Sequence, residues 1–148
     1  MKGIFILLVV ILAVLACGCT AASPSVTPTE TPAASIAVPD ITGTWTGSMQ
    51  GYDEGTGFST YPNMSIAVVV TEQHDRIFAG YVLFRWNGGE SKTDLAGVIG
   101  RDGRTISMIE KDNGYTFGEI LGKDEIELTY LYDGTPAYSV AVDTLKRV

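Results

Sequence analysis

Gly43-Thr44-Trp45-Thr46-Gly47-Ser48-Met49-Gln50-Gly51-Tyr52 is the stretch from which the rest of the chain can be read. Trp45 and Met49 fall on one face, and Thr44, Thr46, Ser48 and Gln50 on the other. That two-residue period is the signature of a half-buried strand. An indole early in such a strand, with glycines beside it to leave room, can plug one end of a small barrel. The segments that follow must then supply the wall.

They alternate in the same way. Met64 to Glu72 sets Met64, Ile66, Val68 and Val70 on one face, and Gln73-His74-Asp75-Arg76 turns the chain. Ile77 to Trp86 is apolar on both faces, with Gly80 in the middle where a closed sheet could bend sharply. Asn87-Gly88-Gly89-Glu90 reads as a loop, and Thr93 to Gly100 as the next strand. The pairs Asp102-Gly103 and Asn113-Gly114 are hairpin signals on either side of Thr105 to Lys111. Tyr115 to Leu121 then leads to Glu125 to Tyr132, where Ile126, Leu128, Tyr130 and Tyr132 alternate with Glu127, Thr129 and Leu131. Asp133-Gly134-Thr135-Pro136 turns into the last strand, Ala137 to Arg147. No helical period occurs. The expected fold is all-β: an antiparallel up-and-down meander of about eight strands, the number at which a sheet can close with a narrow interior. A sandwich with a crossover is the rival. It needs a long connection, and only Asp53 to Asn63 offers one.

Ahead of this domain, residues 1–19 read as an export signal: a basic start, an apolar run from Ile4 to Ala16, then Ala16-Cys17-Gly18-Cys19. The apolar run is shorter than the roughly 20 residues a spanning helix needs. Its end resembles the lipobox of prokaryotic lipoproteins. That resemblance implies lipidation at Cys19, with Cys17 as the alternative, and a location on the extracytoplasmic side of the cell membrane. Residues 20–39 are rich in Pro, Thr and Ser and read as a disordered tether, leaving 40–148 as the barrel domain. No cysteine follows Cys19, so core packing and sheet hydrogen bonds must hold the fold. A net charge of −7 disfavours nucleic acid as a partner.

Gly43-x-Trp45 on the first strand and Arg147 on the last together resemble the ends of the calycin barrels (lipocalins, fatty-acid-binding proteins and avidins). In those a tryptophan sits at the closed end with a basic residue across it. The resemblance implies that Trp45 and Arg147 form a barrel-closing pair, a guanidinium on an indole face. Ile41-Thr42-Gly43-Thr44-Trp45 and Asp143-Thr144-Leu145-Lys146-Arg147 look most like avidin ends. The first-strand positions at which avidins contact biotin fall on Gly47 and Gly51, which have no side chains. Of further tryptophans only Trp86 remains. Asp143 does match an avidin ligand position.

The resulting expectation is a non-catalytic, membrane-anchored calycin-like barrel that binds a small apolar or amphipathic ligand. Asp143, Trp86, Tyr81 and Tyr130 are the candidate contacts. Asp143 shares a face with Ala141 and Leu145, so an inward carboxylate there would need a partner. The alternative is a module that recognises an extracellular protein, like a protease inhibitor, with its loops. Interior volume separates the two. Met49, Phe84, Leu128 and Tyr130 would fill a tight barrel, whereas a cavity of about 300 Å³ or more favours a ligand. His74, the only histidine, lies in a turn without a nucleophile motif, and no metal or cofactor set is expected. Glu110, Glu119 and Glu127 are assigned to the solvated face. Asn63-Met64-Ser65 is a possible glycosylation site.

Overall fold

A computed structural model describes residues 36–135 and 137–148. The export signal, Cys17, Cys19 and the tether up to residue 35 lie outside the described residues, as does Pro136 in the last turn. The strands are β1 (Gly43–Asp53), β2 (Gly57–Ser59), β3 (Met64–His74), β4 (Ile77–Trp86), β5 (Gly89–Ile99), β6 (Thr105–Glu110), β7 (Tyr115–Gly122), β8 (Glu125–Asp133) and β9 (Tyr138–Arg147). Every neighbouring pair from β3 to β9 is antiparallel and consecutive, and β9 returns to β1. That last pairing runs from Trp45 opposite Arg147 to Asp53 opposite Ser139, so the sheet is closed without a free edge between first and last strands.

The wall has eight strands although nine segments are extended. β2 and β3 both pair with β1, β2 at Gly51 to Asp53 and β3 at Gly43 to Gly47. They form one wall strand interrupted by residues 60–63. This corrects the expectation of a loop throughout Asp53 to Asn63. Phe58 lies opposite Tyr52, and the two rings meet edge to face at 5.1 Å between centroids. The reading of 87–92 also needs correction: β5 begins at Gly89, because Glu90 and Ser91 pair with Arg85 and Phe84 of β4. Residues 38 and 39, expected within the tether, make contacts with the barrel. Val38 packs partly buried against the core, and Gln73 Nε2–H donates to the Pro39 carbonyl at 2.9 Å.

Strand alternation decides what fills the barrel. Trp45, Val68, Val70, Phe78, Ile99, Ile106, Ile126, Leu128 and Leu145 are all buried, drawn from every full-length strand except β7. β7 supplies Thr116, also buried. Curvature comes from glycines on the inner face. A Cβ on Gly47 would lie 1.9 Å from the Thr144 carbonyl oxygen, and one on Gly80 1.9 Å from that of Val69. Only a residue without a side chain lets neighbouring strands coil so tightly there.

Candidate ligand site at the open end of the barrel

One end is sealed. Trp45 is fully buried, and its Nε1–H donates to the Ile41 carbonyl at 2.9 Å. The guanidinium carbon of Arg147 stands 4.2 Å from the centroid of the Trp45 ring. Its N–H groups donate to the carbonyls of Thr42 and Asp40, the latter at 2.8 Å. Asp124 lies 3.5 Å from Arg147 Nε. Arg147 therefore ties the segment entering β1 to the turn between β7 and β8 while covering the indole.

The other end is open and holds a cavity of about 370 Å³. Met49, Met64, Ile66, Val82, Phe84 and Ala141 make its apolar wall. The polar lining is Asp53, Tyr61, Ser91, Thr93, Glu110, Asn113, Tyr130, Ser139 and Asp143. Of the bulky residues expected to fill the interior, Leu128 is buried in the core outside the cavity lining, and Met49 forms part of the cavity wall. Phe84 and Tyr130 only border the mouth.

Asp143 points into this space with 3 % of its surface exposed, and its Oδ1 has no hydrogen-bond partner. Burial, and then the Glu110 carboxylate, push the Asp143 carboxyl up to about 7. Glu110 is better served. Asn113 Nδ2–H donates to its Oε2 at 2.8 Å and the Thr116 hydroxyl to its Oε1 at 3.1 Å. Burial raises the Glu110 pKa, and those two hydrogen bonds draw it back only partly. The Tyr130 hydroxyl donates to Asn113 Oδ1 at 2.9 Å, and burial followed by the Glu110 charge shifts the phenol upward. At the rim the Tyr61 hydroxyl donates to Asp53 Oδ2 at 2.7 Å. Burial first, then Asp53, pushes that phenol up to about 12.

Of the candidate contacts, Asp143 and Tyr130 line the cavity and two others do not. Tyr81 lies on the opposite face of β4 from Phe78, Val82 and Phe84, beneath Lys92, whose Nζ is 3.9 Å from the ring centroid. Strand alternation excludes it from the interior. Trp86 ends β4 beyond the cavity, 40 % exposed, with its ring 5.9 Å from that of Phe84. Asn63 is exposed in a turn. His74 is exposed near Glu72 at the sealed end. Glu110 corrects the sequence reading: it faces inward and is not on the solvated face. The signal was present, since Ile106, Met108 and Glu110 share one face of β6. Asp53, expected in a loop, is the last residue of β1. Among the described residues, no three His, Cys, Asp or Glu side chains come together as a metal set.

The chain is thus a closed, eight-stranded antiparallel barrel of calycin-like architecture with one sealed and one open end. No protein-family model and no curated protein matches it. Among solved structures it is similar to EF1p2_mFAP2b bound to DFHBI, with a TM-score of 0.50 and 12 % identity over 75 % of this chain and 94 % of that one. The S-type phycobiliprotein lyase CPES from Guillardia theta overlaps with a TM-score of 0.47 and 7 % identity, over 73 % and 88 % of the two chains. At 12 % identity the likeness to EF1p2_mFAP2b is one of fold.

Proposed function

We propose that the protein is a non-catalytic, membrane-anchored lipoprotein of the extracytoplasmic side whose barrel holds a small amphipathic ligand. The observation that carries the binding role is the open-end cavity. Its volume of about 370 Å³ falls in the range of small-molecule sites, and it combines an apolar wall with a buried, unpartnered carboxylate oxygen. A barrel of the same fold, EF1p2_mFAP2b, is bound to DFHBI, which supports a small-molecule role for such a barrel. The non-catalytic part of the reading rests on the sequence, in which His74, the only histidine, has no nucleophile motif beside it. A protein-recognition role has one observation in its favour. Tyr52, Val140, Leu131, Tyr115 and Ile109 lie opposite one another across five strands on the outer face. Phe58 extends that row and is 91 % exposed.

Native mass spectrometry on protein purified from its own host tests the ligand role. A stoichiometric adduct of small mass is expected, and it should be lost in Ala141→Phe, which fills the cavity. An adduct that persists in that variant, or protein that is always empty, defeats the interior-site reading. The anchor is tested by cell fractionation. Cys19→Ser should release the protein from membranes, while Cys17→Ser should leave it bound. The reverse pattern moves the lipid to Cys17, and membrane retention of the double variant means that lipid at these cysteines is not what holds the protein.

A further inference from the structure

Resting on the ligand-binding reading, the charges around the cavity narrow the chemistry of its guest. Three carboxylates line it: Asp53 from β1, Glu110 from β6 and Asp143 from β9. The other ionisable groups facing it are the phenols of Tyr61, just ahead of β3, and Tyr130 on β8, and no Lys, Arg or His is among the lining residues. Buried carboxylates in folded proteins are ordinarily matched by a positive charge or by a full set of donors. Asp53 has Tyr61, and Glu110 has Thr116 and Asn113. Asp143 Oδ1 has nothing, although it is the most deeply buried of the three. The chain leaves one buried carboxylate oxygen without a donor, aimed into a space walled in part by Met49, Ile66 and Val82 and bordered by the aromatic rings of Phe84, Tyr61 and Tyr130. A carboxylate with aromatic walls is the arrangement that selects an ammonium group, through a charge-assisted hydrogen bond and the ring quadrupoles. A metal ion fits poorly, since no three acidic side chains converge.

We infer that the guest is a small amphipathic amine, its protonated nitrogen donating to Asp143 Oδ1 and its apolar body against the Met49 and Phe84 side of the cavity. Glu110, whose oxygens each already accept one hydrogen bond, from Asn113 and Thr116, adds mainly its charge. The space is worth about a dozen water molecules at ~30 Å³ each, which suits a body of one or two rings.

Three indoles of nearly equal size and different head groups test this by isothermal titration calorimetry on the folded barrel: tryptamine (cation), tryptophol (neutral) and indole-3-acetate (anion). At pH 8 tryptamine should bind at least about tenfold more tightly than either of the others. Asp143→Asn should weaken tryptamine about thirtyfold and leave tryptophol within about threefold, whereas Glu110→Gln should weaken tryptamine by a few-fold only. Tryptamine affinity should rise from pH 5 to pH 8 as Asp143 ionises, because the amine stays protonated up to about pH 10. Near pH 7 its binding should also release protons, seen as a dependence of the heat on the buffer's ionisation enthalpy. Equal or tighter binding of tryptophol or indole-3-acetate, or an Asp143→Asn variant that binds tryptamine unchanged, overturns the amine assignment and leaves the pocket standing. If all three fail while host-purified protein carries a neutral or anionic guest, the amine assignment alone falls. If all three fail and host-purified protein is empty, the pocket falls with it.

Discussion

Trp45→Ala is expected to cost about 4 kcal/mol, within the ~3–5 kcal/mol range for deleting a fully buried large aromatic side chain. The loss has three parts. The indole fills the sealed end among Ile41, Val70, Ile126 and Leu145, all nearly inaccessible, so alanine leaves a void that a closed sheet cannot collapse to fill. The Ile41 carbonyl loses its Nε1–H donor. Arg147 loses the ring face it covers, although its carbonyl partners remain. For a domain of this size each kcal/mol moves the midpoint by roughly 4–8 °C, so thermal unfolding followed by circular dichroism should show a drop on the order of 15–30 °C. Trp45→Phe keeps most of the apolar volume but not the donor, and should fall between the two. A Trp45→Ala protein melting within a few degrees of wild type would mean that the floor is not the keystone of the barrel.

The second large effect concerns pH. The folded Asp143 carboxyl titrates near 7, against 3.8 for an unburied aspartate. A group whose pKa is raised by folding contributes its full share to stability below the unfolded value, and that share is lost as pH rises toward the folded value. Across this interval of about 3 pH units the loss approaches about 4 kcal/mol at ~1.4 kcal/mol per unit. Glu110, also raised, acts in the same direction. Asp40 and Asp102, lowered by hydrogen bonds from Thr42 and from Thr105 and Arg104, act oppositely, and their effect is felt only at more acid pH. Urea midpoints of the ligand-free protein should therefore fall from about pH 4 to pH 8. Asp143→Asn should flatten most of that slope and be the more stable protein at pH 8, because the amide is never ionised. A wild-type midpoint constant across this range, or a variant with the same slope, would falsify the assignment of Asp143 as a buried carboxyl without a partner. A protein that would be more stable without this residue retains it at a cost, and the unmet charge at the cavity wall is where that cost is concentrated.

The parts of the fold that were legible in the sequence are those governed by local alternation. Ile66-Val68-Val70 and Ile126-Leu128 alternate cleanly, and the Asp-Gly and Asn-Gly turns bring consecutive strands together without ambiguity. β2 was not legible. Gly57-Phe58-Ser59 has no pattern of its own and is extended only because it pairs back on Tyr52. The start of β5 was hidden in the same way, since Gly89-Glu90-Ser91 looks like a loop until Arg85 and Phe84 provide its partners. Within the site, Asp143 was visible because Leu145 and Ala141 flank it on the inward face. Glu110 continues the inward register of Ile106 and Met108, but a carboxylate by type suits solvent, and its assignment to the solvated face followed type over register. A charge in an inward register is a local rule broken, and such breaks concentrate where binding takes precedence over stability. Tyr81 shows the converse. An aromatic side chain with a polar tip suited a pocket by type, but its odd-numbered register on β4 placed it outside.

The clamp made by Arg147 also determines how the barrel can be handled. The segment from Val38 to Thr42 and the terminal Val148, whose N–H donates to the Thr44 carbonyl at 3.0 Å, both lie at the sealed floor. A bead, chip or fluorescent fusion joined directly ahead of residue 36 or after Val148 is carried on the base of the vessel, and its rim stays clear. Immobilised at either of these points, the barrel should keep its mouth accessible to molecules in flow.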